Sequence, residues 1–474
     1  MGYHEYNCMI CSVSFAIARI RTFKEPPDAS WGCYGITTRG RSYVEVENLE
    51  PEDDDSEDEN GEEYEDELGQ CGVGCMMAVW PREGTGTHTG SPSGHPHSLH
   101  PTEEMYYRRI RNHPEDTWSD IWARLENSNP VKLEHIAGPE CESDSRYNGH
   151  RISVEEMRGC NTMQGLILKQ PDWQPEDGDE DFERSGRYYL TGLSDAYTEI
   201  DSHDSCTPER HGCRTPSPAL DFNDIDRIME KNAEPAYYYS IPVHPTCLEV
   251  LKRVNQHRHG RADVDKFLIW WELGFEKRDL PFDPCQTDAY HGRDQWWRHN
   301  RGAEYLVANP LFVPGLETIF RLADTVPRAE SGDGEDEGSD AFTAFPTELR
   351  RMIYDCLSGD DITTLHHASP FLYRNAMGDL GHQFMKEHPW LWEYWTKLPY
   401  SSWAFTTATE LKASVESPVK QLIASPSMNW ASAMRMVWSE KQAGRLKGFQ
   451  NRRRIWKVCD MILDKVEDHR FFIS

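Results

Sequence analysis

The sequence predicts an α+β protein, with a mixed N-terminal region of short strands and helices followed by an all-α C-terminal part. Three observations predict it. Short apolar runs bounded by turn residues recur through the first 325 positions, as strands and buried helices of a mixed domain do. After position 345 the apolar residues shift to helical spacing. Acid-rich segments with few hydrophobic residues interrupt the chain, and such segments stay solvated and disordered because they cannot bury enough surface to order themselves.

In chain order, Phe15-Ala16-Ile17-Ala18 opens the first apolar run, and Ser42 to Val46 alternates like a strand. A second apolar run, Met76 to Trp80, follows the first acidic block. Residues 84–100 are Gly, Ser, Thr, Pro and His, a flexible insertion by composition. Ser153 with Glu156 three residues later is a capping-box pattern, predicting a short helix that ends at Gly159. Leu166-Ile167-Leu168 and Tyr188-Tyr189-Leu190 predict short strands, and polar residues 201–218 predict loop. A helix is predicted from Pro245, with Cys247, Leu248, Leu251 and Val254 as its apolar stripe and Gly260 beyond its end. Phe267 to Trp271 predicts a second, buried helix, and residues 428–468 predict long helices.

Composition narrows the function classes. The chain has 474 residues and 38% apolar content, but 16 Trp, 17 Phe and 20 Tyr supply large burial per residue. Its net charge of -30 is local: residues 52–67, 172–183 and 330–340 hold 12, 7 and 6 acids, which leaves about -5 for the rest. Those blocks repel nucleic-acid phosphates, so no nucleic-acid partner is expected. No apolar run approaches the length of a membrane span and no secretory signal is evident, so the expectation is a soluble protein of the cytoplasm or nucleus. Thirteen Cys without regular spacing read as reduced thiols.

The stretch 345–372 is the most legible. Leu349, Ile353 and Leu357 stand four apart on one helical stripe behind Phe345-Pro346, with Pro346 suited to the first turn. Gly359 closes that helix, Asp361 caps a second with Ile362 and Leu365, and Ser369-Pro370 opens a third. Three short helices with more apolar residues than they can bury alone suggest a docking module.

This stretch resembles the F-box, the motif that binds the Skp-type adaptor of SCF ubiquitin ligases. It departs from the usual pattern in opening Phe-Pro rather than Leu-Pro and in carrying His366 after the leucine of the second helix. The passages Gly149 to Cys160, Tyr305 to Leu316, Leu446-Lys447-Gly448 and Asn451 to Trp456 are similar to segments of a group of filamentous-fungal F-box proteins. The resemblance implies a non-catalytic adaptor. Phe345, Pro346, Leu349, Ile353, Leu357, Ile362 and Leu365 would bind the Skp-type protein, and through it a cullin ligase, while the flanking sequence holds a target for ubiquitin-dependent degradation. The expected organisation is an α+β region over 1–325 with disordered insertions near 51–69, 84–102, 171–185 and 201–218, then an acidic linker over 326–341. The F-box over 342–385 and a helical region over 386–474 complete it.

Enzyme signatures are missing: there is no phosphate-cradling Gly-rich loop, His-Glu-x-x-His helix or Gly-x-Ser-x-Gly elbow. No cofactor is expected as a default. The pair Cys8-x2-Cys11 is the weak candidate for a structural zinc, needing two further ligands, with Cys71, Cys75 or a histidine of the 88–100 insertion to supply them. This motivates the alternative function, a metal-stabilised interaction scaffold acting outside any ligase. His203, Cys206, His211 and Cys213 form a looser cluster in a loop. Arg452-Arg453-Arg454 reads as the solvated side of a helix whose buried side carries Ile455, Trp456 and Cys459. The Trp-rich stretch 390–395 reads as core, with a recognition surface as its functional alternative.

Overall fold

The computed structural model describes residues 7–15, 17–26, 29–31, 43–45, 75–81, 106–109, 130–141, 146–193, 210–211, 217–218, 239–276, 297, 299–311, 313–325, 341–357, 361, 364–365, 368–369, 371–372, 388–393, 395, 398, 400, 418–423, 428–442 and 444–473. Helices and strands are both present, as an α+β chain requires. The chain divides into two compact units, each built from more than one segment. The first comprises Met1–Cys247, Asp265–Asn309 and Met461–Ser474, and the second Leu248–Val264 and Pro310–Asp460.

The first unit carries the strands. These are β1 (Arg19–Ile20), β2 (Tyr43–Glu45), β3 (Met76–Pro81), β4 (Tyr106–Arg109), β5 (Pro130–Ile136), β6 (Tyr147–Asn148), β7 (Gln164–Leu168), β8 (Tyr188–Leu190), β9 (Ser217–Pro218) and β10 (Tyr239–Val243). One sheet has the order β2-β5-β3-β4 and another the order β8-β7-β10-β9, while β1 and β6 form a parallel pair. Ser217–Pro218, expected as loop, is therefore an edge strand parallel to β10. Pro218 is tolerable there because an edge position does not demand its missing N–H.

Around β1 the chain is tied by one buried cation. The Arg19 guanidinium donates to the carbonyls of Ala29 and Ile152 and to the Glu25 carboxylate. Gly149, hydrogen-bonded through its N–H to the Ile20 carbonyl, has no room for a side chain. An added Cβ would stand 2.6 Å from Glu25 Oε2 and 2.9 Å from Arg19 Nη2. The Gly149 to Cys160 passage thus serves local packing. Its Ser153–Glu156 box forms as expected, with each backbone N–H donating to the other's side chain. It caps only a turn, not an α-helix, and Gly159 leaves that turn at φ 74°.

The segment 172–183, expected to be solvated and disordered, is folded. Helix α1 (Asp181–Ser185) follows it with a capping box between Glu180 and Glu183. Asp179 and Glu183 are buried and both pair with Arg210, which also donates to the Leu190 carbonyl. A compensating cation 27 residues on from Glu183 turned an acidic stretch into structure. Trp173 packs on the buried pair Ile167 and Tyr189, and the Lys169 ammonium stands 3.6 Å from its ring centroid.

Next come α2 (Pro245–His259), ended by Gly260 at φ 71°, and α3 (Asp265–Glu276), which buries Phe267, Trp270 and Trp271 in the first unit. The second unit is helical, with α4 (Leu316–Thr325), α5 (Thr347–Cys356), α6 (Pro418–Ile423) and α7 (Trp430–Gln442). The long α8 (Lys447–Ile473) closes the chain. Helices α6 and α7 pack on α4, where Phe320 meets Trp430 edge to face at 6.4 Å.

The arginine run is a correction. Arg452 is fully buried and Arg454 nearly so. Arg452 donates to the carbonyls of Pro310, Leu311 and Trp390 and to both oxygens of Glu393. Its guanidinium lies 4.0 Å from the Trp392 ring centroid. Trp390 and Trp392 are buried and the Trp395 indole donates to the Pro389 carbonyl, so the Trp-rich stretch is core. Among the described residues, no helix is long and apolar enough to cross a membrane.

Candidate metal centre and docking face

Cys8 and Cys11 lie in a tight turn between the bridged residues Asn7 and Ser14. Cys8 donates its N–H to the Val13 carbonyl, the Ser12 N–H returns to Cys8, and Ser12 adopts φ 59°. The turn is anchored to β10 by a hydrogen bond from the Met9 N–H to the Pro242 carbonyl. At the end of that strand His244 immediately precedes α2, and Cys247 lies in its first helical turn, donating its N–H to the His244 carbonyl. The α2 start therefore brings His244 and Cys247 to the Cys8–Cys11 turn.

All four side chains are buried, and their donor atoms lie within 4.8 Å of one another. Cys11 Sγ stands 3.4 Å and Cys247 Sγ 3.8 Å from His244 Nδ1. His244 Nε2 is 2.8 Å from the Cys160 carbonyl, so it carries a proton, and Nδ1 faces the sulfurs. The backbone N–H of His244 donates to Cys8 Sγ at 3.2 Å, and Phe15 packs on the imidazole at 4.4 Å.

The electrostatics follow from burial and proximity. Burial opposes a charge on His244, but the Cys8 and Cys11 sulfurs prevail and raise it to about 10. Burial likewise opposes ionisation of Cys11, yet hydrogen bonds from Cys247 and Cys8 and the charge of His244 hold its thiol well below the ordinary value. Burial, and then the hydrogen bond to Cys11, pushes Cys247 up.

A second group gathers Cys75 at the start of β3, His135 on β5 and Cys141 in the turn beyond it, all buried. His135 sits opposite Met77 in the β3–β5 register. The Gly138 N–H donates to Cys75 Sγ at 3.4 Å, and Cys141 Sγ is 3.8 Å from His135 Nε2. Burial opposes a charge on His135, but hydrogen bonding with Cys141 and Cys75 raises it to about 9. Both groups have the donor chemistry to hold a metal ion.

Cys8 and Cys11 thus come together with two further ligands, but not the expected ones. Cys75 belongs to the other group, while Cys71 and the histidines of the 88–100 insertion lie outside the described residues. The missed signal was His244-Pro-Thr-Cys247 at a helix start. Cys247 read as part of an apolar stripe because a buried thiol and a small hydrophobe look alike in sequence. In the looser cluster, His211 faces Asp179 and packs between Trp173 and Tyr189. His203, Cys206 and Cys213 lie outside the described residues.

The docking candidates sit on and around α5. Pro346 precedes the helix as its N-cap residue. The inward side is marked by buried Tyr354 and by Arg350, whose guanidinium lies 5.1 Å from the Phe371 ring centroid. Leu349, Met352 and Cys356 point the other way, with Leu349 44% and Met352 63% exposed. Phe345 is 39% exposed, and Ile353, Leu357 and Leu365 are partly buried. Ile362 lies outside the described residues. Ser369 caps as expected, its hydroxyl accepting from the Leu372 N–H at 3.1 Å. No known protein family, curated protein or solved structure matches this chain.

Proposed function

We propose that the chain is an F-box-type adaptor that docks on a Skp-type protein and presents a target to a cullin ubiquitin ligase. The observation that carries the reading is the outward apolar face of α5. A short amphipathic helix normally turns its apolar stripe to its own core, whereas this one packs through Tyr354 and offers Leu349 and Met352 to solvent. An exposed apolar patch of this kind marks a partner site. The adaptor performs no covalent chemistry; it acts by raising the target's effective concentration near the conjugating enzyme, in the cytoplasm or nucleus.

Burying a side chain such as Leu349 or Met352 on a partner contributes about 1.5–3 kcal/mol. The double substitution Leu349→Asp, Met352→Asp therefore weakens docking at least 100-fold while sparing the fold, because both side chains are exposed. Co-purification with a Skp-type protein is the test, and undiminished capture by the double variant refutes the proposal.

A second reading, an interaction scaffold stabilised by structural zinc and acting outside a ligase, is favoured by the convergence of Cys8, Cys11, His244 and Cys247. Binding of a Skp-type protein through the α5 face discriminates between the two.

A further inference from the structure

We infer that Cys8, Cys11, His244 and Cys247 bind one zinc ion in a closed, purely structural centre that joins the two ends of the first unit's leading segment, Met1–Cys247. The inference needs no Skp-type partner and stands or falls apart from docking.

The donor set comes first. Three sulfurs and one imidazole nitrogen form a closed tetrahedral zinc set, whereas Mg and Ca sites are built from oxygen. With Zn–S near 2.3 Å and Zn–N near 2.0–2.1 Å, a tetrahedron places its sulfurs about 3.8 Å apart and sulfur and nitrogen about 3.6 Å apart. The observed sulfur-to-Nδ1 distances, 3.4 and 3.8 Å, bracket that value. The thiols are not paired as disulfides.

The surroundings are those of metal ligands rather than of thiols filling a core. The Cys160 carbonyl on its far nitrogen orients His244 so that Nδ1 faces the sulfurs, and outer-shell partners of this sort orient ligating histidines. An N–H donates to Cys8 Sγ, and Cys247 lies in the first turn of α2, whose dipole would offset the charge of a metal-bound sulfur. Negative charge on the sulfurs is thus met by fixed dipoles. Burial of all four residues, with every tetrahedral corner filled by protein, leaves no position for substrate or water, so the centre is structural.

The spacing adds the consequence. Cys11 and His244 are 233 residues apart, so the ion fastens an N-terminal turn onto the junction of β10 and α2. A local finger would stabilise only its own loop; this centre closes most of the first unit.

The test is metal analysis of the full-length protein. One zinc equivalent per chain is expected to disappear in Cys11→Ser, Cys247→Ser and to persist in the control Cys356→Ser, whose cysteine is exposed. Equal zinc in wild type and the double variant, or no zinc in wild type, overturns the inference. A second measurement covers a double variant that fails to fold. Cobalt-loaded wild type and His244→Cys are compared by absorption. Tetrahedral bands that shift as a fourth sulfur replaces the nitrogen support His244 as a ligand, and an unchanged spectrum overturns it. Any metal on Cys75, His135 and Cys141 contributes equally to both samples.

Discussion

Replacing Arg452 with Ala should be among the most damaging single changes available in the second unit. The guanidinium satisfies three backbone carbonyls and a bidentate carboxylate while fully buried. Truncation leaves Glu393 without its cation and the carbonyls of Pro310, Leu311 and Trp390 short of a donor. Removing one partner of a buried pair costs about 3–5 kcal/mol. With a urea m-value of about 2–3 kcal/mol/M for a unit of this size, the midpoint should fall by roughly 1–2.5 M. Trp390, Trp392 and Trp456 surround the site, so intrinsic fluorescence follows its unfolding directly. Arg452→Lys should recover only a minority of the loss, since an ammonium keeps the charge but cannot reach five acceptors in forked geometry. If Arg452→Ala unfolds at the wild-type midpoint, the guanidinium is not the hub described here.

Other substitutions test other parts of the fold. Gly149→Ala should destabilise the first unit by about 1–3 kcal/mol in chemical denaturation, because the methyl collides with the Arg19–Glu25 pair and the Ile20 carbonyl. Arg210→Ala should cost about 3–5 kcal/mol and expose 172–193 to proteolysis, since it removes the guanidinium that buried Asp179 and Glu183 share and leaves them, among the described residues, only His211 and backbone N–H donors. Tyr400 is raised above its ordinary value by burial and by Glu393, against Arg253 and Arg452. The folded state therefore holds that proton more tightly than the unfolded one. The corresponding stability is complete below about pH 10 and is lost as pH rises toward the folded value. Tyr400→Phe should flatten the alkaline limb of the second unit's stability, measured as urea midpoints at successive pH values.

The legibility of the sequence depended on the range of the interactions involved. Short-range signals read well: β7, β8, α2 with its Gly260 stop, α3, α7, α8 and the Ser369 cap all follow from spacing and local capping chemistry. The α5 helix was legible too, but its exposed face carries Leu349 and Met352, whereas Ile353 and Leu357 of the expected stripe are partly buried and Leu357 is the C-cap residue. What failed was everything decided by a distant partner. Segment 172–183 looks solvated until Arg210 is known to reach it, and Arg452 looks like a surface charge until the carbonyls of Pro310 and Leu311 are placed beside it. Half of the candidate metal site was visible as Cys8 and Cys11. Its other half begins at His244, and no periodicity connects positions that far apart.

That separation also has a consequence in time. At a synthesis rate of about 5–20 residues per second, the turn holding Cys8 and Cys11 emerges roughly 10–50 s before His244 and Cys247, which complete the candidate centre. Throughout that interval the nascent chain displays a bidentate thiol pair able to capture the wrong metal, cross-link or oxidise. Until the end of β10 is made, that turn lacks the Pro242 carbonyl that anchors it.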